Sequence, residues 1–430
     1  MSIQAVKGTR DFYPELMRRR NWIMAAWRRV SLRNGFEEYD APIFEYPDLF
    51  TTKSGPEIAS QLFNLVDRGG RSLAIRPEIT PSLARMVNAK ISSLPRPIKW
   101  FSMPRLCRAE NTQRGRLREF FQWNVDVIGS DEVIADAEGI YTAVDFLREV
   151  GLTPADVTVR IGSRALTVSA LKAAGLSDES VQAALPVLDK RAKVSDEEFR
   201  RLAVQAGMSG PQIESVCRFQ DCDDLGALAK AAGGSSDGEA AVEQLRQLLA
   251  TLRAMGAGEY CTLDMRIVRG LAYYTGVVYE VFDAAGSMRA VAGGGRYDNL
   301  LEVLGGPKVG ATGFGMGDVV LGLLLEEKAK FPADVDASSV DYYLIDAEET
   351  CFPRVVELVG GLRGRGASAD FSYARRAVGK QLKEANRRGA RFAVIVREDG
   401  VSVKELATGE QRDVTAEEFL ASAEGSQGNR

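Results

Sequence analysis

The feature that most limits the architecture of this chain is the succession of strand-like runs in its first third. Phe36–Phe44, Ser72–Ile75, Ile98–Met103 and Phe121–Ile128 read as strands, with connections between them that read as hairpin-like. That arrangement favours antiparallel pairing. A helix precedes them over Arg18–Leu32, because Ile23, Ala26, Trp27 and Val30 recur at helical spacing, and Gly35 stops it in the manner of a C-terminal cap. Residues 1–150 therefore predict an α+β core on an antiparallel sheet.

At 430 residues the chain is too long for one ordinary core. From 151 to 260 the pattern becomes largely helical, with Ala-rich stretches at Leu166–Ala174 and Ala240–Met255, and reads as an insertion. Gly233–Gly238 (GGSSDG) reads as a flexible loop within it. Strand and glycine character returns over 261–330, so the first core resumes there: Tyr273–Phe282, Ala290–Tyr297, then a glycine-rich strand running into an apolar helix over Val309–Leu325. A linker follows at Phe331–Ser339. Residues 338–420 predict a separate α/β domain, read as β-α-β-α-β-β, and 421–430 a disordered tail.

The chain contains no histidine. Ser-His-Asp and Cys-His nucleophiles, HExxH zinc sites and any imidazole base are thereby excluded. Chemistry must run on Arg, Lys, Asp, Glu, Tyr, backbone groups and any metal that arrives with a ligand. Five scattered cysteines suit reduced thiols, and the lone near pair, Cys217 and Cys222, does not make a metal site. A resident metal is not expected. No apolar run approaches the roughly 18 residues of a membrane span, and the N-terminal stretch lacks an apolar signal core, so the expected location is the cytoplasm. A net charge of −4 gives no global nucleic-acid signature, although local basic patches can still bind phosphates.

Four segments are dense in charge and glycine: Arg76–Thr80, Arg108–Gln122, Arg269–Tyr274 and Gly293–Asp298. Each alone is compatible with a solvated strand edge or turn. In the second, Arg108 and Glu110 alternate along a strand and share a face; after a polar loop, Arg116, Arg118, Phe120 and Gln122 share a face of the return strand. Guanidinium forks bind phosphate and an aromatic ring stacks on a base, so this hairpin suits a nucleoside triphosphate. A GxxxxGK[ST] phosphate loop is absent from the sequence.

Arg-x-Glu, a loop, and Arg-x-x-x-Phe resembles motif 2 of class II aminoacyl-tRNA synthetases. With KGTRDFYP (Lys7–Pro14), RPEIT (Arg76–Thr80), VRGLAYYTG (Val268–Gly276) and AGGGRYDNL (Ala292–Leu300), the order of blocks is similar to that of the histidyl-tRNA synthetases, from residue 7 to about 410. The resemblance implies ATP-dependent activation of histidine and its transfer to tRNA(His), with Mg²⁺ entering with ATP. It implies that Arg108 holds the α-phosphate, Glu110 the adenine amino group and Arg116 the terminal phosphates, and that Phe120 stacks on adenine. Glu78, Thr80 and Gln122 would hold the α-amino group of histidine. Asp126 and Tyr274 would bind the imidazole nitrogens, Tyr273 and Tyr297 would line the same pocket, and Arg269 would act at the reacting carboxylate and phosphate. A homodimer built on the first segment and an anticodon-binding C-terminal domain are also implied. In that domain Arg375, Arg376, Lys380, Lys383, Arg387 and Arg388 recur at helical spacings beside one acid, Glu384, as a candidate tRNA contact.

Three positions depart from the family's pattern. Ala272 replaces a common acid, and Asp126 stands where many members carry Glu. Val320 stands where motif 3 usually ends in an arginine that clamps ATP, and Arg296 is the candidate to supply that charge. Two alternatives share parts of the pattern: another class II synthetase, and a catalytically silent paralogue that regulates histidine biosynthesis and lacks the C-terminal domain.

Overall fold

The structure, a computed structural model, describes residues 3–269, 273–337, 340–374 and 376–423. The chain divides into two compact units, residues 1–12 with 20–331 and residues 13–19 with 332–430.

The larger unit is built on a nine-stranded sheet. Its path runs Glu37–Glu38, Ile98–Ser102, Glu119–Ile128, Ala311–Gly317, Ala292–Arg296, Val277–Asp283, Val157–Ser163 and Cys261–Leu263, with Arg105–Cys107 pairing beside the long strand Glu119–Ile128. All interior pairings are antiparallel; only the two outermost are parallel. Strand alternation divides the residues between two faces. One face carries Trp123, Val125, Phe314, Met316, Tyr279, Val281, Val159 and Ile161, all buried in one apolar cluster with Trp27, Ile140, Val144 and Leu147 from the helices Pro14–Arg33 and Val133–Glu149. Trp27 and Trp123 stack at 6.1 Å, and Trp123 meets Phe314 edge-on at 5.0 Å. The other face carries Gln122, Asn124 and Asp126, then Gly313 and Gly315, then Gly293 and Gly295, then Val278 and Glu280, in register across four strands.

The first helix buries the four predicted residues Ile23, Ala26, Trp27 and Val30 and ends at Gly35, whose φ of 76° lets the amide of Phe36 reach back to the carbonyl of Ser31. The run Phe36–Phe44 is not one strand. It splits into Glu37–Glu38 in the main sheet and Phe44–Glu45 in a separate three-stranded sheet with Phe63–Val66 and Ser72–Ile75. Between the two pieces Asp40 caps the amide of Ala41, and its carboxylate takes the Arg76 guanidinium at 2.8 Å, so the chain turns there.

Residues 151–260 are not wholly helical. Val157–Ser163 is an interior strand of the main sheet, and six helices follow between Arg164 and Ala254. The stretch GGSSDG is a tight connection and not a loose loop: Gly233 and Gly234 take positive φ, and Ser235 caps the helix Ser236–Ala254 by accepting the amide of Gly238.

The smaller unit orders its five strands as Ala369–Phe371, Val340–Asp346, Ala390–Val396, Val401–Glu405 and Gln411–Val414. The first three are mutually parallel and the rest antiparallel. Tyr342 and Leu344 pack on the helices Phe352–Gly364 and Ala416–Ser422, while Tyr343 and Ile345 face Ala385 of the helix Val378–Arg387. The expected tail overlaps the last helix by Ala421 and Ser422; residues 424–430, like part of the expected linker, lie outside the described residues. Among the described residues no helix is long and apolar enough to cross a membrane.

Candidate active site

The glycine-bearing face of the main sheet is the floor of a cavity of about 780 Å³. Its glycines are required by what lies across them. A Cβ on Gly293 would fall 1.9 Å from Nη1 of Arg269; on Gly313, 2.1 Å from Oδ1 of Asp126; on Gly315, 2.7 Å from the Gln122 side-chain amide; and on Gly295, 3.0 Å from the Tyr274 ring. The flanking side chains lie flat over bare backbone, and this opens the depth that a ligand needs.

Twelve residues singled out from the sequence line this one cavity: Glu78, Thr80, Arg108, Glu110, Arg116, Phe120, Gln122, Asp126, Arg269, Tyr273, Tyr274 and Tyr297. Glu78 is buried immediately before the helix Thr80–Lys90, which Pro81 starts, and it accepts a hydrogen bond from the Tyr273 hydroxyl at 3.1 Å. Tyr273 packs against Tyr274 and Tyr297 with ring centroids 5.0 and 5.9 Å apart. Tyr297 donates to Oδ1 of Asp126 at 2.5 Å, and Oδ2 of Asp126 is buried without a partner among the described residues. Burial pushes the Asp126 carboxyl up to about 7, against the opposing pull of the Tyr297 hydroxyl. Burial likewise raises the phenols of Tyr273, Tyr274 and Tyr297.

At the other end of the cavity, Nε of Arg108 donates to the Pro77 carbonyl at 3.0 Å, and its guanidinium lies 5.2 Å from the Phe120 ring centroid. Arg116 pairs with Glu110 at 2.7 Å. Arg118, which alternation placed with them, instead turns to the carbonyl of Glu110 and packs at Gly8. The regular strand ends at Cys107, and Arg108 extends the pairing by one further bond, to the Arg118 carbonyl. Arg269 has a left-handed backbone, φ 62°, a sparsely populated conformation for a side chain of this size. Nη1 of Arg269 donates to Glu280 at 2.6 Å, and its guanidinium lies 5.6 Å from the Tyr274 ring centroid. Burial would lower its pKa, but Tyr274 and Glu280 outweigh that and hold the charge firmly.

Arg296 is not available to the cavity. It sits one residue out of phase with Gly295, on the opposite face of the strand. There it donates to Asp136 at 2.7 Å and to the carbonyls of Ser130 and Glu132. It is a buried structural ion pair, so the expectation that it replaces the motif 3 cation is wrong. Alternation within AGGGR carries that parity.

Two further residues matter here. Asp318, buried at the start of the helix Asp318–Glu327, accepts from Arg10 at 2.7 Å and from the amide of Phe121 at 2.9 Å, tying the N-terminal segment and the long strand to it. Arg289 lines the cavity, and its only sequence signal is a lone cation in the stretch GSMRAV. Among the described residues no group of three or more Asp, Glu or Cys side chains could hold a metal ion.

Residues 8–317 match the family model for histidyl-tRNA synthetase, and residues 341–424 match that for an anticodon binding domain. The chain belongs to the histidyl-tRNA synthetase family. A histidine–tRNA ligase of Opitutus terrae is 40% identical over 428 residues, 98% of each chain. The chloroplastic/mitochondrial histidine–tRNA ligase of Arabidopsis thaliana is 38% identical over 419 residues, 96% of this chain and 85% of that one. Among solved structures, apo histidyl-tRNA synthetase of Staphylococcus aureus superposes with a TM-score of 0.75 at 26% identity, over 98% of this chain and 99% of that one.

In the smaller unit, Arg376, Lys380, Lys383, Arg387 and Arg388 are exposed in and beside the helix Val378–Arg387, while Gln381 and Ala385 of that helix are buried. Arg387 and Arg388 lie 3.7 and 3.8 Å from Glu384 and Asp370. Arg375 lies outside the described residues.

Proposed function

We propose that this protein activates histidine with ATP and transfers it to tRNA(His), with the cavity as the adenylation site. The observation that carries the reading is the convergence of four sequence blocks, separated by up to about 210 residues, on one pocket with an anionic end at Asp126 and Glu78 and a cationic end at Arg108 and Arg116. The anionic end suits an amino group and the N–H of an imidazole. The cationic end, with the ring of Phe120, suits a nucleoside triphosphate. Arg269 stands between.

In the reaction a carboxylate oxygen of histidine attacks the α-phosphorus. The new O–P bond forms as the bond to pyrophosphate breaks, and no proton need leave the nucleophile. A chain without histidine therefore loses nothing in this step. Two like charges 4 Å apart repel by about 1 kcal/mol in water and about 4 kcal/mol at an effective dielectric of 20. A guanidinium already fixed by Glu280 turns that repulsion into stabilisation without reorganising during the reaction. Mg²⁺ accompanies ATP as part of the substrate and offsets charge on the departing pyrophosphate.

In the assignment we favour, 1–150 and 261–330 form the catalytic core together with the strand Val157–Ser163, the rest of 151–260 is the largely helical insertion, and 338–420 is the anticodon-binding domain, whose exposed basic helix contacts tRNA. The working form is a cytoplasmic homodimer; the exposed cluster of Ile43, Phe44 and Tyr46 supports an interface on the first segment. A silent regulatory paralogue is disfavoured by the match to an anticodon binding domain at 341–424 and by the assembled pocket. Histidine-dependent ATP–pyrophosphate exchange is the test. Exchange with histidine and no other amino acid supports the reading; its absence in folded protein refutes it.

A further inference from the structure

Six arginines line the cavity, and four are matched by carboxylates: Arg116 by Glu110, Arg269 by Glu280, and Arg160 and Arg266 by Asp264. Arg108 and Arg289 are left over. Arg289 makes no hydrogen bond or ion pair with a described residue; the residue as a whole is exposed, but its guanidinium is partly enclosed at the cavity wall. It is nevertheless placed. The turn that carries it is clamped by Asp283, which accepts the amides of Ser287 and Met288 at 2.9 Å each and the Ser287 hydroxyl at 3.0 Å. Pairing resumes two residues later, where the amide of Val291 donates to Val281. Across from it is Gly115, at the tip of the Arg108–Gln122 hairpin. A Cβ there would lie 3.8 Å from Cδ of Arg289 and 3.1 Å from Cγ2 of Val320. Arg289 and Val320 thus flank the same hairpin tip.

We infer that Arg289 binds the terminal phosphates of the nucleoside triphosphate and supplies the cation that Val320 cannot. This deepens the adenylation reading and rests on it. Its surroundings call for an anion: burial and the neighbouring charges of Arg116 and Arg108 disfavour the protonated guanidinium, with only partial relief from Glu110 and Glu280. An arginine held by a clamped turn against two like charges is stabilised when a polyanion enters between them. A freely solvated arginine would have no reason for a fixed root.

The test is equilibrium binding of ATP and of AMP, because only ATP reaches the terminal-phosphate position. In Arg289→Ala and Arg289→Gln, ATP should bind roughly ten- to a hundredfold more weakly, and AMP within about twofold of the parent. Arg289→Lys should recover part of the loss, and Val320→Arg added to Arg289→Ala should recover part of it from the opposite side. Equal weakening of ATP and AMP, or unchanged ATP binding, overturns the inference. A parent that binds ATP no better than AMP does so too. Failure of the adenylation reading would appear separately, as ATP binding without histidine-dependent pyrophosphate exchange.

Discussion

The bare floor of the cavity can be tested by adding one carbon. In Gly293→Ala the new Cβ would lie 1.9 Å from Nη1 and 2.6 Å from Cζ of Arg269. An ordinary contact begins near 3.4 Å, so the guanidinium must withdraw by about 1.5 Å. Its bond to Glu280, 2.6 Å long, cannot survive that shift unchanged. The backbone of a β-strand accepts alanine readily, and Gly293 does not have a positive φ, so the damage is confined to the side chain above it. Misplacing one donor aimed at developing charge typically costs about 10²–10³ in kcat, or about 2.7–4 kcal/mol. Gly293→Ala should therefore lower kcat of histidine-dependent pyrophosphate exchange by about that factor. The same substitution made in Arg269→Ala should cost little more, because the group it displaces is already gone. Exchange within about threefold of the parent would show that Arg269 does not act from its observed position. An undiminished penalty in the Arg269→Ala background would show that the methyl acts by some other route.

Asp126 makes a pH prediction. Its carboxyl titrates near 7 in the fold against an ordinary value of 3.8, so the folded protein keeps a proton that the unfolded chain releases. That contribution is present at low pH and lost as pH rises through about 7. Asp126→Asn should raise Tm relative to the parent more at pH 8.5 than at pH 5 while weakening histidine binding; a constant Tm difference would contradict the burial argument. In the smaller unit, Lys380 and Lys383 are exposed on one helix face, and reversing both to Glu should lower tRNA aminoacylation by roughly tenfold or more with pyrophosphate exchange within twofold. Equal losses in both reactions would remove the helix from tRNA binding. Phe121 lies between Arg20 and Arg105, at 4.9 and 4.8 Å, where an imidazolium would be repelled. Phe121→His should preserve exchange near pH 8 and lose stability relative to the parent below about pH 6.5, since the unfolded chain takes up the proton more readily. A pH-independent Tm difference would refute this.

The sequence disclosed the site better than the fold. RPEIT, Arg-x-Glu with its return strand, and the two glycine blocks are local patterns whose order survives any folding detail, so eleven residues named from them line one cavity together with Asp126. What could not be read depended on tertiary partners. The break at Asp40 is set by Arg76, a contact between elements 36 residues apart. Val157–Ser163 is flanked by helices and reads as part of them until its pairing with Val277–Asp283 and Cys261–Leu263 is seen. The helix Ala416–Ser422 is short and owes its place to Phe419, which meets the Tyr342 ring edge-on at 5.5 Å. The place of Arg296 is legible in strand alternation alone, which sets it on the face opposite Gly293 and Gly295.

The main sheet is finished fully on one side only; on the other, Ile79, Leu83 and Val87 pack with Ile98, Ile128, Val278 and Ala311 and leave the glycine-bearing stretch to the cavity. Trp123, Phe314 and Tyr279 upholster one face, while on the other the central strands offer backbone. Whatever lies on that bare backbone becomes, for as long as it stays, the missing layer of a sandwich. Substrates then act as a reversible part of the core, and their supply sets how durable the protein is. At a concentration one hundred times its dissociation constant a ligand adds about 2.7 kcal/mol to the folded state. On the adenylation reading, a cell short of histidine or ATP would hold a version of this protein that unfolds and is degraded sooner, so its abundance would follow the nutrients it consumes.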